Sequence, residues 1–367
     1  MAGSTFGTVF RVMTWGESHG KGIGVTIDGC PAGLPLSEED IQPYLNRRKP
    51  GQSRYTTARQ ESDLVEILSG VFEGKTTGTP IAMMVRNTDQ RSRDYGNIMN
   101  VYRPGHADFG FDSKYGFRDY RGGGRSSGRE TTARVAAGAV ACKLLEHFGI
   151  KVTAYVKSIG EFEIDPERFD IAERDRNPLN MPDAVCAVEA GEYLARLIEQ
   201  QDSAGGVVEC VADGVPAGIG EPVFEKLDAR LAHAEMSVGA VKGVEIGDGF
   251  EAAKAVGSVN NDDFCRNADG TIGKRTNHSG GILGGMSDGS PVVLRAAFKP
   301  TPSISRPQQT VNRAGEEVET VIKGRHDPII VPRAVVVVET MAAFTAADLM
   351  LQNAVAKLDN VRKIYER

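Results

Sequence analysis

The chain is poor in cysteine, has no excess of positive charge and shows no long signal-like apolar leader, and each shortage removes a class of protein. Five cysteines stand in 367 residues, at Cys30, Cys142, Cys186, Cys210 and Cys265. Their odd number, wide spacing and lack of any C-x-x-C pair exclude a disulfide framework and a cysteine-built zinc site, and fit a reducing compartment. Lys and Arg number 43 against 49 Asp and Glu, a net charge of -6, which is the wrong sign for a protein whose main partner is a nucleic-acid backbone. The opening MAGSTFGTVFRVMTWGESHG has no basic n-region or apolar h-region, and its single Arg11 is too little for a transit peptide. No apolar run of about 18 residues is expected, so no membrane partner is expected either. The reading is a soluble, cytoplasmic protein. Neither G-x-x-x-x-G-K-[ST] nor a convincing G-x-G-x-x-G after a strand occurs, so neither a nucleotide kinase nor a Rossmann dehydrogenase is indicated.

Glycine is what the chain has in excess: 43 residues, about 12% against a usual ~7%. Gly-punctuated strands are predicted at Gly22–Gly29, Leu64–Phe72 and Thr79–Val85, with a short helix after the capping pattern Ser37-x-x-Asp40 that Pro43 limits. From Gln90 to Gly128 periodicity fails, and so long a stretch without an element is usually functional or disordered. Gly128–His147 reads as a helix with almost no polar face, which must be buried. Strands near Lys151–Gly160, Gly206–Asp213, Val241–Ile246, Pro291–Phe298 and Glu317–Ile322 alternate with helices near Asp183–Gln201 and Pro222–Glu235, and a last helix is predicted over Glu339–Val361. No repeat, linker or clean boundary interrupts residues 1–367, so one large α+β domain is expected, with helices sandwiched between sheets.

The strongest local signal is Arg121-Gly122-Gly123-Gly124-Arg125-Ser126-Ser127-Gly128-Arg129-Glu130, directly before the buried helix. Ser127-x-x-Glu130 reads as a capping box, which would aim backbone N–H groups and the positive helix end at an anion, with Arg125, Arg129 and Arg134 adding forked donors. A solvated surface loop, or an RNA-binding segment, is the alternative. His19 in W-G-E-S-H-G and His106 in R-P-G-H-A-D lie between residues that let the backbone turn and the ring reach a ligand; neither has a histidine four residues on, and no metal site is expected. Arg47-Arg48-Lys49-Pro50-Gly51-Gln52-Ser53-Arg54 is a basic knot at a helix end. Asn277–Gly285 is a Gly-rich turn and Phe298–Ser303 a proline-stiffened loop. Asp348 is the only charge between Glu339 and Lys357, on an apolar helix, where an unpaired carboxylate would cost several kcal/mol; it needs a partner or a task.

Together these segments resemble the chorismate synthase family. WGESHG at Trp15–Gly20, RPGHAD at Arg103–Asp108, RGGGRSSGRE at Arg121–Glu130, NHSGGILGG at Asn277–Gly285, KPTPSI at Lys299–Ile304 and GRHDP at Gly324–Pro328 occur in the family's order and span nearly the whole chain. The resemblance implies a lyase that removes phosphate from 5-enolpyruvylshikimate 3-phosphate by 1,4-anti elimination to give chorismate, in the shikimate pathway to the aromatic amino acids. It implies reduced FMN (FMNH2) as cofactor, an electron-rich partner for a ring losing an allylic phosphate, and a β-α-β sandwich fold assembled as a homotetramer. No reductase domain is visible, so reducing equivalents are expected from NAD(P)H through a separate flavin reductase.

By matching motif, the resemblance makes His19 the proton donor to the leaving phosphate and His106 the residue beside the flavin that protonates the reduced cofactor. Asp348 would assist proton removal from the substrate ring. Arg48, Arg54, Arg134 and Arg333 would hold the substrate's anions. Arg125, Ser126, Ser127, Gly239, Ala240, Gly284, Lys299, Pro300, Thr301, Pro302, Ser303 and Arg325 would contact FMN. Two other readings stay open from the residues: a non-catalytic RNA- or phospholigand-binding protein using the RGGGR loop, and a flavin oxidoreductase with net hydride transfer.

Overall fold

A computed structural model describes residues 3–56, 61–88, 99–322 and 327–366. Two five-stranded antiparallel sheets form its outer layers. In the first, the strands run in the order Thr5–Phe6, Arg11–Gly16, Gly22–Asp28, Ile81–Arg86, Val65–Ser69. In the second the order is Val241–Ile246, Val292–Phe298, Gly206–Asp213, Lys151–Ile159, Phe162–Glu163. The period-two pattern sets which face is inward. Val208, Cys210 and Ala212 of the central strand are buried, with Cys210 in register with Leu294 on one side and Ala154 on the other. The opposite face carries an ion ladder in which Arg295 pairs with Glu209 at 3.3 Å and with Glu245 at 3.1 Å. In the first sheet Ile23, Val25 and Ile27 point inward, while on the outer face the Trp15 indole lies where a side chain at Gly24 would stand.

Helices fill the space between the sheets. The helix α1 spans Glu38–Arg48, α2 Asp108–Tyr115, α3 Thr131–Glu146, α4 Ala184–Glu199, α5 Leu227–Met236, the single turn α6 Gly257–Asn260, α7 Val331–Asn353 and α8 Leu358–Tyr365. The α3 helix packs on the first sheet and α7 on the second, and the two cross face to face. Both are rich in Ala and Val and buried nearly all round, which lets their backbones approach closely. At the crossing, a methyl group on Gly138 would overlap the Thr340 side chain and carbonyl. The buried Glu339 of α7 is matched by Arg47, at 2.5 and 2.9 Å, and by the Ala154 N–H at 3.1 Å, so the charge is paired as burial requires.

The expected α+β sandwich is what the structure shows, with corrections in detail. The last helix starts at Val331, with Pro332 in its first turn, and stops at Asn353; the apolar run begins earlier than the sequence reading placed it, because Pro is tolerated where N–H groups have no helical partner. This helix is long and apolar enough to cross a bilayer by length and composition, contrary to the expectation that no such run exists, but 89% of its most apolar window is buried between the sheets. Within the stretch read as featureless lies α2, closed by Gly116 in the left-handed region at φ 79°. All five cysteines are free.

Candidate active site

The glycine-rich loop is shaped by three consecutive left-handed residues, Gly122, Gly123 and Gly124, at φ 64°, 82° and 54°. Such a run is open only to glycine, and at Gly122 any side chain would also collide with the His19 ring and the Ser18 hydroxyl. The loop therefore lies against the turn that carries His19. Ser18 Oγ donates to the Gly122 carbonyl at 3.0 Å. Its only hydrogen is thus used, so the 3.2 Å contact with His19 Nδ1 is an Nδ1–H donating to Ser18, which leaves Nε2 as the unprotonated nitrogen of the neutral ring.

The capping box expected at Ser127 and Glu130 is not reciprocal. Ser127 Oγ accepts from the Arg129 N–H at 3.3 Å, but the Glu130 carboxylate is spent elsewhere, accepting from Thr14 Oγ1 at 2.8 Å and from Arg134 Nε at 2.7 Å. Two short 3-10 turns, Gly124–Ser126 and Gly128–Glu130, precede α3. The arginines of the segment are engaged too. Arg125 donates to the Gly16 and Thr14 carbonyls, both at 3.1 Å, and buried Arg129 pairs with Asp63 at 2.7 Å.

Around this loop a chain of contacts closes on itself. Buried Arg48 pairs with Asp63 at 2.9 Å and donates to the Gly128 carbonyl at 3.2 Å. The Arg48 carbonyl accepts from Arg333 Nε at 3.0 Å, and Arg333 pairs with Asp327 at 2.7 Å. The next residue, Pro328, accepts from the Ala204 N–H at 3.0 Å, and Ser203 Oγ donates to the Thr301 carbonyl at 2.7 Å. Lys299 N–H donates to the Ala240 carbonyl at 3.0 Å, and Ala240 itself is left-handed at φ 74°. Three residues back, Ser237 Oγ accepts from Arg134 at 2.5 Å, and Arg134 returns to Glu130. His106 joins at the Lys299–Ser303 side, where Lys299 Nζ donates to the Gly105 carbonyl at 2.8 Å and His106 Nε2 meets Ser303 Oγ at 2.9 Å.

Electrostatics differ along this ring. Burial first, and Arg103 second, push the His106 imidazole down to about 4, so the ring is neutral near pH 7. Pro104 O, 2.9 Å from Nδ1, can only accept, so Nδ1 carries the proton and Nε2 accepts from Ser303. Burial also lowers Arg48 to about 10. For Asp63 burial acts to raise the pKa, but Arg48 and Arg129 outweigh it and hold the carboxyl below its usual range. Two buried atoms of the ring, Arg48 Nε and Thr301 Oγ1, have no hydrogen-bond partner among the described residues, and open space adjoins Gly124, Gly128 and Gly239 among those residues. Orphaned donors beside open glycine backbone are what a polar, phosphate-bearing ligand would fill. Among the described residues no cluster of His, Cys, Asp or Glu is arranged to hold a metal ion.

Several residues singled out in the sequence are not brought here. Asp348 stands fifteen residues beyond Arg333 on α7, about 22 Å along a helix axis. It is 1% exposed and accepts from the backbone N–H groups of Thr8, Val9 and Phe10 at 2.8–3.1 Å. In this arrangement the carboxylate ties down the N-terminal turn, a task other than the proton acceptance that the resemblance implies. Gly284 packs at the start of α5 beside Leu227, whose N–H donates to the Gly285 carbonyl, whereas Ser237 follows the end of that ten-residue helix, about 15 Å away. Arg54 is exposed and stacks on its neighbour Tyr55 at 4.8 Å, with no contact to the ring among the described residues. Arg325 lies outside the described residues. Conversely, Asp327, Ser203 and Ser237 were not singled out. Asp327 sits inside the GRHDP segment and could have been found there; the serines carry no sequence signal, because only the fold brings them to the ring.

The chorismate synthase family model matches residues 10–351. The chorismate synthase of Lachnoclostridium phytofermentans is 63% identical over 367 residues, covering 100% of both chains, and that of Methanocella arvoryzae is 58% identical over 354 residues, covering 96% of this chain and 95% of its own. A crystal structure of chorismate synthase superposes with a TM-score of 0.77 at 36% identity, over 98% of this chain and 97% of that one. With the motifs, the sandwich and the arginine-lined ring all in place along the full length, the chain belongs to the chorismate synthase family.

Proposed function

We propose that this chain converts 5-enolpyruvylshikimate 3-phosphate to chorismate and phosphate by 1,4-anti elimination, with reduced FMN held in the ring. The observation that carries the reading is the ring itself, a chain of hydrogen bonds that links the His19 turn, His106, Arg134, Arg333 and the Lys299–Ser303 loop and includes the orphaned Arg48 Nε and Thr301 Oγ1. In the reaction the ring C–H proton leaves, the allylic C–O bond to phosphate breaks and a new C=C forms, with no net redox change. Bound reduced flavin supplies electron density to the ring as phosphate departs.

The chain's own residues divide the remaining work. His19, when protonated at Nε2, gives that proton to the departing phosphate oxygen. Arg134 and Arg333, already at the rim, meet the substrate's phosphate and carboxylates with charge-assisted donors. Arg48 supports them from beneath. His106, with Nε2 against Ser303 Oγ, would stand beside a bound flavin at the Lys299–Ser303 side and serve there as its proton-exchange group. Gly239, Ala240, Ser126, Ser127, Lys299, Pro300, Thr301, Pro302 and Ser303 line the cofactor's place, and Arg125 fixes the loop. Asp327, held by Arg333 at 2.7 Å within the ring, takes the proton-acceptor role.

The homotetramer, the cytoplasmic location and a separate NAD(P)H-dependent flavin reductase belong to the same proposal. Five free cysteines support the reducing compartment, and exposed Leu358, Ile364 and Tyr365 on α8 support assembly through that helix. The test is an anaerobic assay with 5-enolpyruvylshikimate 3-phosphate and reduced FMN, following phosphate release and chorismate absorbance. Many turnovers per reduced flavin are expected; stoichiometric consumption of reductant would instead make the chain an oxidoreductase.

A further inference from the structure

On α5, two residues before the serine that Arg134 grips, stands Glu235. It is 0% exposed, and neither carboxyl oxygen has a hydrogen-bond partner among the described residues. A buried carboxylate without partners is among the costliest groups a fold can hold, and nothing in the packing of α5 calls for one. Its surroundings make it informative. Arg134 comes from α3 and is shared between Glu130 and Ser237. Ser237 turns its own hydrogen back to the Ala234 carbonyl at 2.6 Å, so α5 ends in a serine oriented to receive Arg134, with Glu235 behind it.

We propose that Glu235 is a positioning residue that stands uncharged behind Arg134 and so preserves the positive charge with which that corner meets an anion. The corner holds Arg125 and Arg134 against one ionised carboxylate, Glu130. An uncharged Glu235 leaves a surplus cation for the substrate; an ionised one would cancel it. Burial pushes the Glu235 carboxyl well above its usual range, with Arg134 opposing, in keeping with the protonated form. Other charged groups on the elements packed around it are already committed. Arg230 on the same helix lies near Asp348 of α7, His233 packs edge-on to Phe6, Glu339 of α7 is held by Arg47, and Glu245 of the strand Val241–Ile246 pairs with Arg295 while Lys242 is exposed. The buried Cys210 thiol, which also faces Glu235, is itself pushed well up by burial and stays neutral.

This inference rests on the reading of Arg134 as a substrate-anion residue, and two measurements separate the fates of the two. Infrared difference spectra of the flavin-loaded protein, wild type against Glu235→Gln, should show a protonated-carboxyl band near neutral pH that the variant lacks. Binding of 5-enolpyruvylshikimate 3-phosphate should weaken about tenfold in the wild type as pH is raised far enough for that band to be lost, and in step with its loss, an effect of about 1.4 kcal/mol. Glu235→Gln should bind with a flat profile across the same range. If the amide does not fold, Glu235→Met, of similar length and also uncharged, must give the flat profile. Absence of the band, or coincident pH profiles in wild type and variant, overturns the inference alone. A wild type that binds no 5-enolpyruvylshikimate 3-phosphate at any pH overturns the substrate reading and this inference with it.

Discussion

Asp348→Asn puts the structural assignment of that residue at risk. Oδ1 accepts from Val9 at 2.8 Å and Phe10 at 2.9 Å, and Oδ2 from Thr8 at 3.0 Å and Gln352 Nε2 at 3.0 Å. An asparagine placed with its carbonyl at Oδ1 keeps the first pair, but its NH2 group then faces two donors. The buried site loses its negative charge, and the acceptor for Gln352 goes with it, while the Thr8 N–H retains only the longer 3.1 Å contact to Oδ1. Charge-assisted bonds at such a site contribute roughly 1.5–3 kcal/mol each, so a loss of about 3 kcal/mol is expected. With an unfolding entropy of ~2.1 cal/mol/K per residue over 367 residues, that is a fall in Tm of about 4 °C. The assay pairs thermal unfolding with turnover per folded molecule under saturating reduced FMN. Lower Tm with unchanged turnover is the expected result. Unchanged Tm with lost turnover would refute the tethering role and return Asp348 to the chemistry.

His19→Ala and His106→Ala should each lower turnover about 10²–10⁴-fold, as for loss of a proton-transfer group, while circular dichroism stays native. Because the His106 pKa is lowered from 6.5 to about 4, the unfolded chain binds its proton first on acidification. The stability this histidine contributes is therefore complete above pH 6.5 and declines as pH falls toward 4, and an NMR titration that finds His106 protonated at pH 6 would contradict the neutral ring. Arg134→Ala should raise KM with little change in Tm, whereas Arg48→Ala, which leaves buried Asp63 with Arg129 as its remaining arginine partner, should cost about 1.5–3 kcal/mol of stability; unfolding curves that rank the two in the opposite order would exchange their roles. Gly138→Ala should destabilise by about 1–3 kcal/mol through overpacking at the α3–α7 crossing, exceeding the ~1 kcal/mol that alanine gains over glycine in a helix; a more stable variant would show that the crossing yields.

The sandwich was legible where side-chain periodicity is decisive. Gly206–Asp213 and Val241–Ile246 fall where alternation placed them, and α3 declared its burial by lacking a polar face. Helix ends were less legible: the last helix was expected over Glu339–Val361, but α7 opens at Val331, with Pro332 in its first turn. At the site, His19, His106 and the glycine loop stood out because glycine runs and histidines are rare enough to notice. What the loop's arginines touch was not legible. Sequence shows forked donors, but only the fold reveals that Arg125 and Arg129 are engaged by acceptors more than 40 positions away. The same limit hides what Asp348 touches: a lone carboxylate on an apolar helix announces that it has a partner, not which one, and three backbone N–H groups at the far end of the chain leave no mark in the sequence.

The ring takes its contacts from Gly16, Arg48, Gly105, Gly122, Ser203, Ser237, Lys299 and Arg333, stretches that no local folding event can assemble. Their joining requires that both sheets and the helices between them be in place, so loop-closure entropy must be spent across most of the chain before the first of these contacts is gained. Refolding should thus recover the far-ultraviolet signal of α3 and α7 well before any capacity to bind flavin. A partly folded chain is accordingly an inert one, and in a cell the interval before the ring closes is when an unloaded copy is most exposed to proteolysis and aggregation.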